Sequence, residues 1–331
     1  MKRFLTAIAG ACALAACAPV VTEQAPATAA APATPASATG QTAIEPTEAP
    51  RSILFVGNSF TMGANSAVLR YRPDSVEDIN GEGVGGVPAL FAKFAEEAKM
   101  PWAVAHETRG GTTLDFHLNE RRAQIDRPWD VVVMQQYSVL DPKKPGDAAE
   151  TVRDAPLLAD LFSARNPDVR VYLTATWTRA DQAWKPEGKW YGQPVEAMAL
   201  DVRRGLDRAD AASDRIDAVI PVGEAWNRAI ATGLADPNPY DGRAFGQIDL
   251  WSYDHYHASA EGYYLEALVV FAQVTGYDVR KFGAQERAAH ELGLDPKVAE
   301  ALQNVAMAQL EAERRVGALD ILRALAVPGR A

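Results

Sequence analysis

The chain has almost no cysteine. Its two cysteines, Cys12 and Cys17, both precede residue 18, so the rest of the sequence cannot form a disulfide, use a thiol nucleophile or offer thiolates to a metal. Basic excess is missing too: 33 Lys and Arg against 43 Asp and Glu leave a net charge of −10. That balance gives no electrostatic reason to bind nucleic acid or an anionic membrane face. Long hydrophobic runs are also absent, because the apolar stretch Phe4–Ala16 is shorter than the roughly 20 residues of a spanning helix. No internal repeat is visible, which argues against a solenoid. What the chain does have is 331 residues that are 48% hydrophobic, enough for a sizeable core without covalent staples.

Lys2 and Arg3 precede the apolar run, and the run ends in Leu14-Ala15-Ala16-Cys17. This is the pattern of a removable targeting signal. Its end resembles the bacterial lipobox, which implies a signal over residues 1–16, cleavage before Cys17 and lipidation of Cys17. With Ala18 rather than an aspartate next, the resemblance implies a cell-envelope lipoprotein of the outer membrane. The alternative is a soluble secreted protein cut near Ala13-Leu14-Ala15. Residues 17–50 are rich in Ala, Pro and Thr with few large apolar side chains, so an extended, disordered tether is expected.

From Ser52 onwards short apolar runs alternate with helical patterns. Strands are expected over Ile53–Val56, Trp102–His106, Val131–Met134, Val169–Ala175 and Ala218–Val222. Helices are expected over Val87–Lys99, Thr113–Gln124, Ala148–Ser163 and Pro194–Ala212. DVVVM and DAVIPV are continuously apolar, as strands covered on both faces are. The alternation predicts an α/β fold, a doubly wound, flavodoxin-like three-layer arrangement with a five-stranded parallel sheet. Active sites in such sheets lie beyond the carboxyl ends of the strands. Later, Ser259 can cap a long helix that Gly276 stops. Asp295-Pro296 opens a last one to about Leu325, with Leu302, Val305, Ala306 and Leu310 on one face. We therefore expect a main domain over 51–280 and a helical extension over 281–331 packed on it, with a partner-binding arm as the alternative.

One corner stands out. LFVGNSFTMG runs from an apolar strand into Gly57-Asn58-Ser59. Such a turn can hold a serine hydroxyl clear of the backbone, and it can equally be a helix N-cap. A nucleophilic serine needs a histidine base and a group that fixes the base's tautomer. Of the five histidines, His290 lies on a charged helical face, His117 has no evident partner, and His106 has nothing nearby to orient it. Asp254-His255-Tyr256-His257 is different, since a carboxylate three residues before His257 can fold back onto its ring. The same segment could also be simply a polar loop.

Taken together, these two stretches resemble the SGNH, or GDSL-type, serine hydrolases. Gly57-Asn58-Ser59-Phe60 stands where that family has Gly-Asp-Ser-Leu, and Asp254-X-X-His257 where it has its Asp-X-X-His block, followed by Ser259, Gly262 and Ala267. The resemblance covers about residues 52–275, and it matches a divergent branch that couples GNSF with a glutamine-rich third block. It implies Ser59 as nucleophile, His257 as base and Asp254 as its orienter. The oxyanion hole would be built from the N–H groups of Ser59 and of Gly110 or Gly111, with Gly110 preferred. The family's Gly-X-Asn-Asp block is absent, and Gln135-Gln136-Tyr137-Ser138 takes its place, so a glutamine amide is expected to complete the hole, Gln136 ahead of Gln135. Asn58, Tyr137 and Trp177 are expected to line the substrate site. Trp177, Trp184, Trp190 and Tyr191 could form a sugar-stacking wall or could be packing residues. The implied activity is hydrolysis of an acyl ester, an acetyl ester among them, on a carbohydrate or small molecule, with no cofactor. The expected partners are that substrate and, through the lipid anchor alone, a membrane. Two other classes stay open: a non-catalytic carbohydrate-binding lipoprotein, and a metal-dependent hydrolase using Asp249, Asp254, His255 and His257.

Overall fold

The computed structural model describes residues 49–326, so the signal, Cys17 and nearly all of the expected tether lie outside the described residues. Its strands are β1 Arg51–Gly57, β2 Glu77–Asp78, β3 Trp102–Thr108, β4 Val131–Met134, β5 Arg170–Thr174 and β6 Ala218–Ile220. Its helices are α1 Gly86–Glu97, α2 Leu114–Glu120, α3 Arg122–Ile125, α4 Ala149–Arg165, α5 Ala180–Trp184, α6 Ala197–Asp210, α7 Val222–Ala231, α8 Ala260–Thr275, α9 Arg287–Leu292 and α10 Pro296–Ala326. The strands form one parallel sheet in the order β2-β3-β1-β4-β5-β6. The sheet thus has six strands where five are expected. The extra one, β2, is a two-residue edge whose acidic sequence carries no apolar signal. Set aside that edge, and the order is the flavodoxin-like one, with the chain switching sides of β1 between β3 and β4.

The continuous apolar runs are explained by burial on both faces. Ile53, Phe55, Val131 and Val133 face one core with side chains of α1, α7, α8 and α10. Leu54, Val56, Val132 and Met134 face the other with Leu114, Leu158, Phe162, Val202 and Leu206. The helix expected over Thr113–Gln124 is broken at Arg121, whose backbone leaves the helical region (φ −120°, ψ 3°). Ser259 caps α8 by accepting from the Gly262 N–H at 3.1 Å, and Gly276 ends it at φ 74°. In α10, Leu302, Val305, Ala306 and Leu310 are buried in the core shared with α7 and α8. Among the described residues no helix is long and apolar enough to cross a membrane.

Candidate active site

The residues singled out by sequence meet at the carboxyl edge of the sheet, around the switch point. Ser59 follows β1, Gly110 follows β3, the two glutamines follow β4, and His257 precedes α8. No helix begins at Ser59. The chain instead coils through Met62 N–H to Asn58 O (3.0 Å) and Ala64 N–H to Ser59 O (3.0 Å). Ser59 is therefore not a cap. Gly57 is required at this corner, because a Cβ there would sit 3.0 Å from Gln135 Oε1 and closer still to Thr61.

The Ser59 hydroxyl lies 2.8 Å from His257 Nε2, and His257 Nδ1 lies 2.7 Å from Asp254 Oδ2. The other carboxylate oxygen of Asp254 accepts the backbone N–H groups of Tyr256 (3.1 Å) and His257 (2.9 Å), so the aspartate is fixed by its own turn. That turn is tight: His255 adopts a left-handed φ of 55°, a strained choice for a residue with a side chain. An isolated bridge between Trp251 and Ala258 closes it. Asn65, which sequence reasoning missed, donates from Nδ2 to Asp254 Oδ2 at 2.7 Å. Nothing around Asn65 in the sequence marks it, because its partner is distant along the chain.

The environment sets the protonation states. Burial pushes His257 below the ordinary 6.5 of histidine, against the hydrogen bond and charge of Asp254, which pull it up; the nearby Arg179 charge adds to the lowering. Burial would raise Asp254, but the hydrogen bonds from His257, Tyr256 and Asn65 outweigh it and hold the carboxyl below 3.8. The pair is thus a neutral imidazole on an ionised carboxylate near neutral pH. The His257 ring is packed by Tyr256 (centroids 4.1 Å) and Phe60 (5.4 Å), and Arg179 stacks over Tyr256 at 3.7 Å while pairing with Asp181.

The remaining site residues divide. Neither the Ser59 N–H nor the Gly110 N–H donates to an acceptor among the described residues, and Gly110 has open space where a Cβ would stand. Gly111, at φ 75°, is the glycine that the turn itself demands. Gln136 corrects the expectation. Its Oε1 accepts the Leu114 N–H at 3.1 Å and the Tyr137 N–H at 2.7 Å, and its Nε2 donates to Thr151 at 3.1 Å, so it braces the start of α2 against α4. Gln135 points to the other side, where Oε1 accepts from the Asn58 N–H (3.1 Å) and Thr61 Oγ1 (3.2 Å). The alternation of side chains leaving β4 separates them. Asn58 is buried, donating to Thr112 O at 3.0 Å and accepting from the Phe60 N–H at 3.2 Å, so its amide stitches the nucleophile corner to the 109–112 turn. Trp177 is fully buried and sandwiched between Phe60 (4.5 Å) and Trp226 (4.6 Å), so it is core. Trp190 is buried too, whereas Trp184 and Tyr191 are exposed. Tyr137 is half-buried beside Gln136. His255 turns onto Tyr240 (4.5 Å) while His257 turns onto Ser59. Among the described residues no three His, Cys, Asp or Glu side chains gather as metal ligands do.

No protein-family model and no curated protein matches the sequence. Solved structures do. The chain is similar to a DUF4886 family protein from Bacteroides uniformis at 18% identity, over 78% of this chain and 93% of that one, with a TM-score of 0.52. It is also similar to a candidate SGNH hydrolase from Slackia heliotrinireducens (21% identity, 68% and 99% covered, TM-score 0.46). A catalytic mutant of an acetylxylan esterase from Geobacillus stearothermophilus gives 13% identity, 69% and 96% covered, and a TM-score of 0.45. Only the first exceeds 0.5, and at its identity the likeness is one of fold. The fold observed is the three-layer α/β fold that the resemblance to SGNH hydrolases implies.

Proposed function

We propose that the chain is a serine esterase of the SGNH type, acting through Ser59, His257 and Asp254. The observation that carries this reading is the continuous hydrogen-bonded chain from the Ser59 hydroxyl through the His257 ring to Asp254. His257 Nε2 takes the hydroxyl proton as Ser59 Oγ bonds to the ester carbonyl carbon, and Asp254 stabilises the imidazolium. The unpartnered N–H groups of Ser59 and Gly110 receive the oxyanion. On collapse the C–O bond to the alcohol breaks and His257 returns the proton to the leaving oxygen. Water, deprotonated by His257, then releases the acid from the acyl-enzyme. The substrate class is an acyl ester, acetyl esters included, on a carbohydrate. The exposed rings of Trp184, Tyr191, Tyr240 and Tyr253 suit flat sugar faces. Export and an anchor at Cys17 in the outer membrane complete the reading on sequence grounds.

A fluorophosphonate label mapped by mass spectrometry tests the mechanism: it should modify Ser59 in the wild type and nothing in Ser59→Ala. A label on another residue, or p-nitrophenyl acetate hydrolysis that survives Ser59→Ala, ends the proposal. Acetylated glycans tried as substrates then address the alcohol. For the anchor, Cys17→Ala should move the protein from the membrane to the soluble fraction.

A further inference from the structure

Two buried ionisable side chains take no part in that chemistry, yet they adjoin it. Glu107, near the end of β3, and His117, in α2, are both 0% exposed. His117 Nδ1 is hydrogen-bonded to Glu107 Oε2, and its Nε2 lies 3.2 Å from Thr112 Oγ1. Glu107 Oε1 also accepts from Asn80 Nδ2 at 3.3 Å and faces Arg121 Nε at 3.5 Å.

Counting protons gives the chain a direction. The single Thr112 hydroxyl proton is donated to the Arg109 carbonyl at 2.7 Å. Its contact with His117 must then be made by an N–H on Nε2. The Nδ1 contact with Glu107 Oε2 anchors the other side of the ring. From the opposite side, the Arg109 N–H donates to Gly57 O at 3.0 Å and Asn58 Nδ2 donates to Thr112 O at 3.0 Å. The turn 109–112 is therefore held at both ends by the nucleophile corner, and His117 braces its Thr112 end from the other side. Between those ends lie Gly110 and Gly111, two residues with the weakest conformational preferences available, and both are exposed.

We propose that Glu107, His117 and Thr112 are positioning residues that aim the Gly110 N–H at the oxyanion. The inference rests on the serine-esterase reading above. Thr112 is half-buried, so Thr112→Val removes the hydroxyl at little risk to folding. It should lower kcat for p-nitrophenyl acetate roughly 10- to 100-fold, with KM changed less than about threefold, because the loss is confined to the transition state. A trifluoromethyl ketone checks the origin of the loss. Ser59 Oγ adds to its carbonyl, the proton passes to His257, and the hemiketal oxyanion sits where the ester's would. Its affinity should fall by the same factor as kcat. Thr112→Ser should restore both to within about threefold of wild type. His117→Ala should reproduce the loss, and the Thr112 pair decides the matter if that variant fails to fold. Wild-type kcat in Thr112→Val, an effect on KM alone, or an equal loss in Thr112→Ser overturns the positioning role while leaving the esterase intact. Hydrolysis that survives Ser59→Ala overturns both.

Discussion

The molecule contains the same chain of groups twice: a carboxylate, an imidazole and a hydroxyl, as Asp254–His257–Ser59 and as Glu107–His117–Thr112. The first is partly open to solvent, and among the described residues the serine hydroxyl has no acceptor other than the imidazole, so its proton goes to the base. In the second the imidazole and carboxylate are sealed, and the threonine gives its proton to a backbone carbonyl instead. Those two differences decide whether the hydroxyl can act as a nucleophile or must remain a strut. Composition does not separate a catalyst from a brace here; the destination of one proton and the access of substrate do.

The largest effect should come from the open chain. Ser59→Ala should cost about four to six orders of magnitude in kcat with the melting temperature little changed, measured by pre-steady-state and thermal assays. Asp254→Asn comes next, at roughly 10³- to 10⁴-fold, since it leaves the imidazole in the wrong tautomer. Asn65→Ala should lower kcat by about tenfold by loosening Asp254. The pH profile sharpens the picture further. His257 is held below 6.5, and the reaction needs the neutral ring, so kcat/KM should climb with pH and reach half its plateau below pH 6.5. A half-point well above 6.5 would contradict the burial argument. The sealed chain should respond in stability instead: Glu107→Ala strands a buried partner and should cost roughly 3 to 5 kcal/mol in chemical denaturation. Asp254→Ala, at a partly solvated site where water can reach the freed donors, should cost less, about 1 to 3 kcal/mol. Equal costs would erase the contrast between catalyst and brace.

How much of this could be read beforehand varies with the range of the interaction. DVVVM is legible as a doubly covered strand because its apolar continuity is local, and the capped helix from Ser259 to Gly276 is legible for the same reason. The pairing of Asp254 with His257 is legible because both lie on one turn. Gln136 misleads because a single residue's step beyond β4 turns one amide to the nucleophile corner and the next to α2 and α4. Trp177 misleads because an aromatic-rich loop reads the same whether its rings face solvent or, as here, stack in a core. His117 has no visible partner in the sequence because Glu107 belongs to a different element, and only the packing of α2 on β3 brings them together.

By itself the sequence determined the alternation of strands and helices, the serine corner and the aspartate–histidine turn, all of which follow from periodicity and spacing over a few residues. Only the tertiary structure decided that Ser59 meets His257, that Asn65 holds Asp254, that the glutamines brace, and that a second carboxylate–imidazole pair stands behind the Gly110 turn. Those contacts join residues on different elements, from ten to nearly two hundred positions apart. Strand order and burial set them, and neither quantity is written in any short stretch of sequence.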